Sequence, residues 1–403
     1  MKKIATVLIC LLIIPFSKAQ ERVITTGVPF LLVAGDARAA GMADNGVATS
    51  ADVYSQQWNP AKYAFSLDKQ GFSVSYTPYL VELVNDISLS QLTYFNKINE
   101  QSAFASSIRF FSLGEIELRQ TGEEGEVPNI VKPSEFAIDL SYALKLSERF
   151  SMSVGGRFIR SNLAIPSEGQ SSIGANTFAV DVSGFYQSEQ TAFTDFDGRW
   201  RFGFNFQNMG PKINYDQTQD STFGSNFLPS NMKIGGGFDF ILDDYNKVGL
   251  NLEFNKLLVP TPPGRITPID TNESGEIDPA EEEVARLANS RNLFEYNNTG
   301  WTEGIFKSFG DAPDGLSEEL KEFTYSVGAE YMYQDSFAFR LGYFNESPLK
   351  GARRFFSLGT GFTYNVIKID VSYLFSASRV RNPLENTLRF SLSFAFGDKY
   401  DEY

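Results

Sequence analysis

Hydrophobic and polar residues alternate with a period of two over long stretches of this chain. Near the C-terminus the hydrophobic positions are Leu388, Phe390, Leu392, Phe394 and Phe396, and polar or small residues separate them. Successive side chains of a β-strand point to opposite faces, so each such segment would have one apolar and one polar face. The pattern predicts about fourteen strands. They are 70–80, 86–97, 100–113, 133–146, 148–162, 174–189, 197–209, 230–242, 246–257, 321–334, 336–346, 353–364, 366–377 and 385–396.

A soluble β-sandwich and a transmembrane β-barrel both have strands of this kind. The predicted strands are roughly 10 to 14 residues long, whereas strands of soluble proteins average about five or six. Phe and Tyr are frequent on the apolar faces, as in the aromatic girdles of membrane barrels. The fold class we expect is therefore all-β, an antiparallel transmembrane β-barrel of about fourteen strands, an even number that allows closure.

The lengths of the links between strands give the predicted barrel a direction. Links after odd-numbered strands are long, notably 114–132, 163–173, 210–229 and the acidic insert 258–320, whereas most links after even-numbered strands are tight. Outer-membrane barrels have short periplasmic turns and long extracellular loops. This asymmetry predicts a multi-pass barrel in the outer membrane with both termini in the periplasm.

The N-terminus has the pattern of a secretory signal peptide. Lys2 and Lys3 precede a short apolar run that ends at Phe16, and small residues up to Ala19 follow. A membrane anchor is the alternative, but the run is shorter than the ~20 residues that a spanning helix needs. We expect residues 1–19 to be removed.

Composition excludes several kinds of chemistry. The chain has no histidine, and its one cysteine, Cys10, lies in the predicted signal peptide. A Ser-His-Asp or Cys-His nucleophile, an imidazole base and a zinc-thiolate site are therefore excluded for the mature chain. The formal net charge of -14 argues against a nucleic-acid partner, because phosphate contacts need clustered Lys and Arg.

Residues 20–69 lack the strand pattern and are rich in small residues. They are predicted to form a plug inside the lumen of the barrel, which would span 70–396, with a tail at 397–403. A periplasmic segment is the alternative. Glycines within the predicted strands, at 155–156 and 235–237, would allow bending of the barrel or close approach of the plug.

The same N-terminal segment carries a family signature. It contains Asp36, Arg38, Gly41 and Met42 in one element, followed by Trp58, Asn59, Pro60 and Ala61 in a second. Together these elements resemble the N-terminal signature of PorV (LptO) proteins of the type IX secretion system of Bacteroidetes. The second element alone is shared more loosely with the wider FadL-like barrel superfamily.

The resemblance implies a non-enzymatic role in protein export, with no cofactor required. PorV-like proteins associate with the translocon barrel of the type IX system. They receive cargo with C-terminal sorting domains and deliver it to the sortase and attachment complex that contains PorU, PorQ and PorZ. We expect the same partners here, together with outer-membrane lipid or lipopolysaccharide, whose phosphates Arg353 and Arg354 could meet.

Two rival functions are open. A FadL-like transporter of hydrophobic solutes would need an apolar path through the lumen, which the polar positions Arg157, Arg201, Asn205, Arg340 and Lys368 disfavour. A lipid A deacylase would need an activated nucleophile, and no histidine is present to serve as its base.

The acidic insert contains a match to the twelve-position calcium loop. Calcium prefers six to eight oxygen ligands, and this spacing would wrap such ligands around one point. An exiting helix is predicted from residue 281, and prolines before the loop exclude an entering one. A solvated acidic loop is the alternative. The candidate ligands are Asp270, Asn272, Ser274, Glu276, Asp278 and Glu281.

The last predicted strand ends in aromatic residues. Phe390, Phe394 and Phe396 lie on one face of it, as in the terminal strands that barrel-assembly machinery reads. We therefore expect this strand to direct assembly into the outer membrane.

Overall fold

The computed structural model describes most of the chain. The described residues are 23–82, 84–119, 127–163, 174–215, 225–272, 274–313, 315–378 and 384–400. The predicted signal peptide lies outside them, as do parts of three long links and the last residues of the predicted tail.

Fourteen long antiparallel strands form the barrel in the described part of the chain, as predicted. In chain order they are β1 (Asp68–Pro78), β2 (Ile87–Lys97), β3 (Ser102–Leu113), β4 (Ser134–Ser147), β5 (Phe150–Asn162), β6 (Ala175–Gln187), β7 (Asp197–Met209), β8 (Asn231–Ile241), β9 (Asn246–Leu257), β10 (Thr324–Tyr333), β11 (Phe337–Asn345), β12 (Arg354–Tyr364), β13 (Ile367–Ser376) and β14 (Leu388–Lys399).

The sheet closes on itself. Each strand pairs with the next along the chain, and β14 pairs with β1 in a register that sets Phe394 opposite Phe72. The pairing includes Asp68 with Lys399, so the last strand continues into the segment that we predicted as a tail. Of the predicted strands, 197–209 and 246–257 coincide with the observed ones, and β14 is displaced towards the C-terminus.

The two faces of the wall have the opposite burial to a soluble protein. On β14, Phe390 is 49% exposed whereas its neighbour Arg389 is 1% exposed. The same inversion holds on β11, where Phe339 is exposed and Arg340 is buried. Polar side chains therefore fill the lumen, and a band of apolar side chains surrounds the barrel, as a lipid bilayer requires.

The barrel has two distinct ends. Asp68, Lys399 and tight connections such as Ser147–Phe150 lie at one, which we call the short-turn end. The longer connections lie at the other, the long-link end. A two-residue strand, Thr191–Ala192, pairs with the start of β7.

The insert 258–320 emerges at the long-link end and is partly helical. Its helices are Pro279–Asn298, Trp301–Lys307 and Leu316–Glu319, followed by a 3-10 turn at Leu320–Glu322. The first of these begins close to the predicted start at residue 281, and residues 258–272 contain no helix, as the prolines predicted. Asp278 caps its N-terminus by accepting the Glu281 N–H at 2.9 Å, while the Glu281 carboxylate accepts the Asp278 N–H.

Candidate functional site

The N-terminal segment is a plug that crosses the lumen. It contains two short helices, Ala37–Gly41 and Ser55–Trp58, and two 3-10 turns, Pro29–Leu32 and Pro60–Phe65, whose residues are mostly buried. A periplasmic tail would leave these residues exposed. The plug prediction therefore holds for the described part of the segment.

The plug runs from one end of the barrel to the other. At the long-link end the Gly27 N–H donates to the carbonyl of Phe227 at 2.9 Å. At the short-turn end the Lys97 Nζ donates to the carbonyl of Ser66, and the Tyr400 N–H donates to that of Leu67. We predicted both termini on one side, but the described chain begins and ends at opposite ends, because the plug traverses the lumen before β1 starts.

Asp36 joins the two halves of the signature. Its carboxylate caps the first helix by accepting the Ala39 N–H at 2.8 Å, and it accepts the Trp58 Nε1–H at 2.6 Å. An Asp at this position satisfies an N–H that a helix otherwise leaves unpaired. The Trp58 ring also lies against the Cα of Gly46, where a Cβ would overlap it. Residues that are more than twenty positions apart are thus one packed unit.

The Asn59-Pro60-Ala61 element fixes the plug to the wall. The Asn59 side chain caps a 3-10 turn through the Ala61 N–H, and its Nδ2 donates to the carbonyls of Val47 at 2.9 Å and Gly184 at 3.0 Å. Pro60 occupies the first position of the turn, where no N–H is needed. The Ala61 carbonyl accepts the hydroxyl of Ser151 on β5.

Arg38 connects the plug to the opposite wall. Its guanidinium bonds Asp52 within the plug at 2.6 Å and Glu330 on β10 at 2.7 Å. Glu330 is in turn bonded by Arg340, which also pairs with Asp370 at 2.7 Å. Breaking a buried ion pair leaves an uncompensated charge, so this chain of charges strongly disfavours displacement of the plug.

Gly41 and Met42 lie where the plug and the wall come closest. A Cβ on Gly41 would be 2.9 Å from the Cα of Gly359, and one on Gly328 would be 2.8 Å from the Met42 Cβ. On β11, a Cβ on Gly342 would overlap the backbone between Met42 and Ala43. Only glycine at these wall positions allows the helix that carries the signature to sit against the strands.

The predicted strand glycines divide by the face they occupy. Gly235 lies against the Val47 side chain and Gly237 against the carbonyl of Ala48, so close approach of the plug is confirmed there. Gly155 faces its own neighbours in the wall, and a Cβ on Gly156 would have nothing within 4 Å. Plug contact is therefore excluded for this pair, and its role in bending of the barrel stays a prediction.

Several lumen residues that hold the plug were missed in the sequence. Glu253 on β9 accepts the N–H groups of Gly46 and Val47 at 2.8 and 2.9 Å. Arg109 on β3 donates to three plug carbonyls, including that of Leu31 at 2.8 Å. Both are charged residues on the polar face of a strand, which indicates a lumen position but not a partner. Of the predicted lumen positions, Arg157, Arg201, Asn205 and Arg340 are buried, and Lys368 is partly buried.

Burial shifts the titration of two plug residues. The pKa of the Asp36 carboxyl is raised to about 6 by burial, with a smaller effect of the Asp52 charge. Burial lowers the pKa of the Lys62 ammonium to about 8, although the charge of Asp52 opposes this. Lys62 donates to the Gly46 carbonyl at 2.9 Å and to the Thr49 hydroxyl at 3.0 Å.

A cavity of about 430 Å³ lies between the plug and the wall and extends towards the long-link end. Its floor is the Trp58 ring, with the Lys233 Nζ at 4.1 Å from the ring centroid. The start of the plug, Val23–Thr26, forms one side, and Lys350 and Arg353 lie at the mouth. This lining is mixed in polarity.

Arg353 already has an acidic partner in the structure. It pairs with Glu346 at 2.8 Å, and its guanidinium lies over the Phe344 ring. Contact of the Arg353-Arg354 pair with lipopolysaccharide phosphates stays a prediction.

The acidic residues of the candidate calcium loop bond the loop itself. The Asp270 carboxylate accepts the Ser274 and Gly275 N–H groups, Asn272 donates to Asp278, and Glu281 accepts from Thr271. Among the described residues, no cluster of three or more acidic, histidine or cysteine side chains is placed to hold a metal ion. Calcium binding through Asp270, Asn272, Ser274, Glu276, Asp278 and Glu281 stays a prediction.

The aromatic residues of β14 lie on the outer face of the barrel. Phe390 and Phe396 are exposed and Phe394 is partly buried between the neighbouring strands. This is the face expected for a lipid-facing strand, and its role in assembly stays a prediction. None of the helices in the described ranges has the length and apolar character that crossing a membrane would need.

A family model described as "Type IX secretion system protein PorV" matches residues 16–264. This range is more than half of the chain and contains the whole plug and β1 to β9. The chain belongs to the PorV family. The match ends before Asp270, so the candidate calcium loop lies outside it, whereas all eight signature positions lie within it.

Solved structures similar to this chain are barrels of the same kind. The TodX deltaS2S3 mutant monoaromatic hydrocarbon channel has a TM-score of 0.50 at 10% identity, covering 89% of this chain and 98% of its own. A Pseudomonas aeruginosa FadL homologue has a TM-score of 0.43 at 13% identity, covering 94% and 100%. Among curated protein sequences, none matches. At this identity the first likeness shows the FadL-like fold alone.

Proposed function

We propose that this protein is an outer-membrane component of the type IX secretion system that binds exported cargo through its C-terminal sorting domain. It would receive the cargo at the translocon barrel and pass it to the sortase and attachment complex containing PorU, PorQ and PorZ. The observation that carries the proposal is the PorV family match, which includes the complete signature.

The contacts of the plug support a binding role over a conducting one. Arg38, Asn59 and Glu253 each tie the plug to a different part of the wall through buried bonds. Charged side chains of the wall, such as Arg109, are used to hold the plug backbone. A barrel with a plug secured in this way is suited to present its surfaces to partners, without any catalytic chemistry.

Sidedness follows from the same proposal. The short-turn end would face the periplasm and the long-link end the exterior, as in other outer-membrane barrels. The insert would then be available to the sortase complex, and the lipid-facing wall to the translocon barrel.

Deletion of the gene tests the proposed role. We expect proteins with type IX sorting domains to accumulate unprocessed in the periplasm, and the wild-type gene supplied in trans to restore their surface display. Other outer-membrane proteins should be unaffected, which controls for general envelope damage. Normal surface display of the cargo in the deletion strain would contradict the proposal.

Capture of partners tests the proposed contacts. An affinity tag placed in the exposed turn at Gly275 should recover translocon or sortase-complex components from solubilised outer membranes, and the same tag on an unrelated barrel should not. Recovery of neither, together with reduced uptake of hydrophobic solutes in the deletion strain, would favour a FadL-like transporter.

A further inference from the structure

The insert carries four exposed apolar side chains close to the rim of the barrel. They are Phe306, Phe309, Leu316 and Leu320, which we call the rim cluster, and they are 79%, 47%, 75% and 62% exposed. We propose that the rim cluster is a membrane-contacting element that seats the insert in the lipid boundary beside β9 and β10.

The position of Lys256 places this part of the insert at the outer face of the wall. Phe254 and Lys256 alternate onto the same face of β9, and Phe254 is an exposed residue of the apolar band. Lys256 is nevertheless buried, because its Nζ is bonded by Glu319 at 2.8 Å and Glu322 at 2.6 Å. The insert therefore covers the rim at a lipid-facing position.

Short-range contacts hold the rim cluster to this anchor. The Phe309 ring centroid lies 6.0 Å from the Lys256 Nζ. The Ala312 N–H donates to Glu319, and the Gly315 N–H donates to the Ala312 carbonyl at 2.9 Å. Leu316 and Leu320 are four positions apart across a helical turn, so they share one side of it.

The rim cluster continues the lipid-facing band of the barrel. Phe254 and Tyr325 are paired across β9 and β10 and are exposed aromatic residues near the long-link end. Residue 257 ends β9 three positions beyond Phe254, a rise of about 10 Å along the strand. Apolar side chains at this height lie at the boundary where lipid headgroups meet acyl chains, the location of interfacial amphipathic elements.

The long helix of the insert, Pro279–Asn298, provides a contrast within the same segment. Val284 on it is 68% exposed, as the rim cluster is, but its neighbours are the acidic Glu282 and Glu283. The bonds that join the rim cluster to Lys256 come from residues 309–322, not from this helix. Val284 thus serves as a matched exposed control.

Site-directed spin labelling in lipid nanodiscs tests the proposal. In the full chain with Cys10→Ser, labels at Leu316→Cys and Leu320→Cys are compared with Val284→Cys and with Phe390→Cys on the barrel wall. The ratio of collision rates with oxygen and with a water-soluble nickel chelate reports immersion. We expect positions 316 and 320 to give ratios several-fold higher than position 284 and closer to that of position 390.

A ratio at positions 316 and 320 equal to that at position 284 would overturn the proposal and assign the rim cluster to a protein partner absent from the nanodiscs. Hydroxyl-radical footprinting of the unmodified chain covers the case in which a variant does not fold. Phe306 and Leu316 should then be oxidised several-fold less than Val284 once each rate is scaled by side-chain reactivity and exposed fraction. Equal scaled oxidation would again contradict lipid contact.

Discussion

At the residue scale, one carboxylate determines the geometry of the plug. Asp36 is buried and accepts one hydrogen bond from a helix terminus and one from the Trp58 indole. Neither Asp nor Trp is unusual alone in a membrane barrel sequence. Their pairing explains why both belong to the family signature although they lie in different elements.

Replacing the indole tests this pairing. Trp58→Phe keeps an aromatic ring beneath Lys233 but removes the donor to Asp36, a bond to a charged group of about 1.5 to 3 kcal/mol. We expect faster trypsin cleavage at Arg38 and Lys62, with a lower unfolding temperature. Trp200→Phe, on the lipid face, is the control and should leave both unchanged. Equal cleavage rates for the two variants would contradict a structural role for the indole bond.

The titration of Asp36 gives a pH dependence of defined sign. Its folded-state pKa of about 6 lies above the unfolded value, so the folded chain holds a proton that the unfolded chain releases between about pH 4 and 6. Its contribution to stability therefore rises as the pH falls through this window. In Asp36→Asn the contribution is absent, and the change in unfolding temperature between pH 7 and pH 4.5 should differ from wild type in that direction. Parallel curves for both proteins would exclude it.

At the element scale, the fit between plug and wall depends on strand glycines. Gly342 and Gly359 face the helix Ala37–Gly41 and its following residues closely enough that a methyl group would overlap them. The remaining lumen surface is built from side chains such as Ser357 and Ser391, whose hydroxyls accept plug N–H groups at 2.8 Å. The wall is thus shaped for the backbone of the plug, not for its side chains.

A single methyl group tests this fit. Gly342→Ala would place a Cβ into the Met42–Ala43 backbone and should displace the plug, with at least a several-fold increase in its proteolysis. Gly156→Ala adds the same methyl group where nothing lies within 4 Å and is the matched control. Both variants should keep the heat-modifiable migration of a folded barrel. An undisturbed plug in Gly342→Ala would show that the wall yields at this point.

The elements themselves were largely predictable, whereas their contacts were not. Strands such as 197–209 have a period of two over their whole length, so the barrel follows from local alternation and strand count. The plug could be recognised from the loss of that period. Which lumen charge meets which plug carbonyl, as Arg109 meets that of Leu31, depends on register around a closed ring, which no local pattern encodes. The surroundings of Gly155 could not be predicted for the same reason.

At the scale of the whole molecule, Phe227 links three separate parts of the chain. Its carbonyl accepts the Gly27 N–H of the plug, its ring packs on Tyr296 of the insert at 5.7 Å, and the Lys212 Nζ lies 4.0 Å from the ring centroid. The insert and the start of the plug are therefore held together at the long-link end, although more than two hundred residues separate them.

Removal of the Phe227 ring tests this connection. Phe227→Ala should increase hydrogen exchange both at residues 23–32 and in the helix Pro279–Asn298, because the ring supports both. Phe193→Ala, at an exposed ring near the short-turn end, should alter neither. A change confined to the insert would show that the plug start is held independently.

The path of the plug constrains the order in which this molecule can be assembled. The plug is made first and crosses the lumen, yet its helix Ala37–Gly41 packs on strands that are made last, and its Ala37 N–H bonds Ser391 on β14. The seam between β14 and β1 is what finally encloses it. A sealed cylinder would have to be threaded lengthwise, so the open sheet must curl around a segment already in place. In this chain the N-terminal segment acts as a mandrel on which the cylinder is wound.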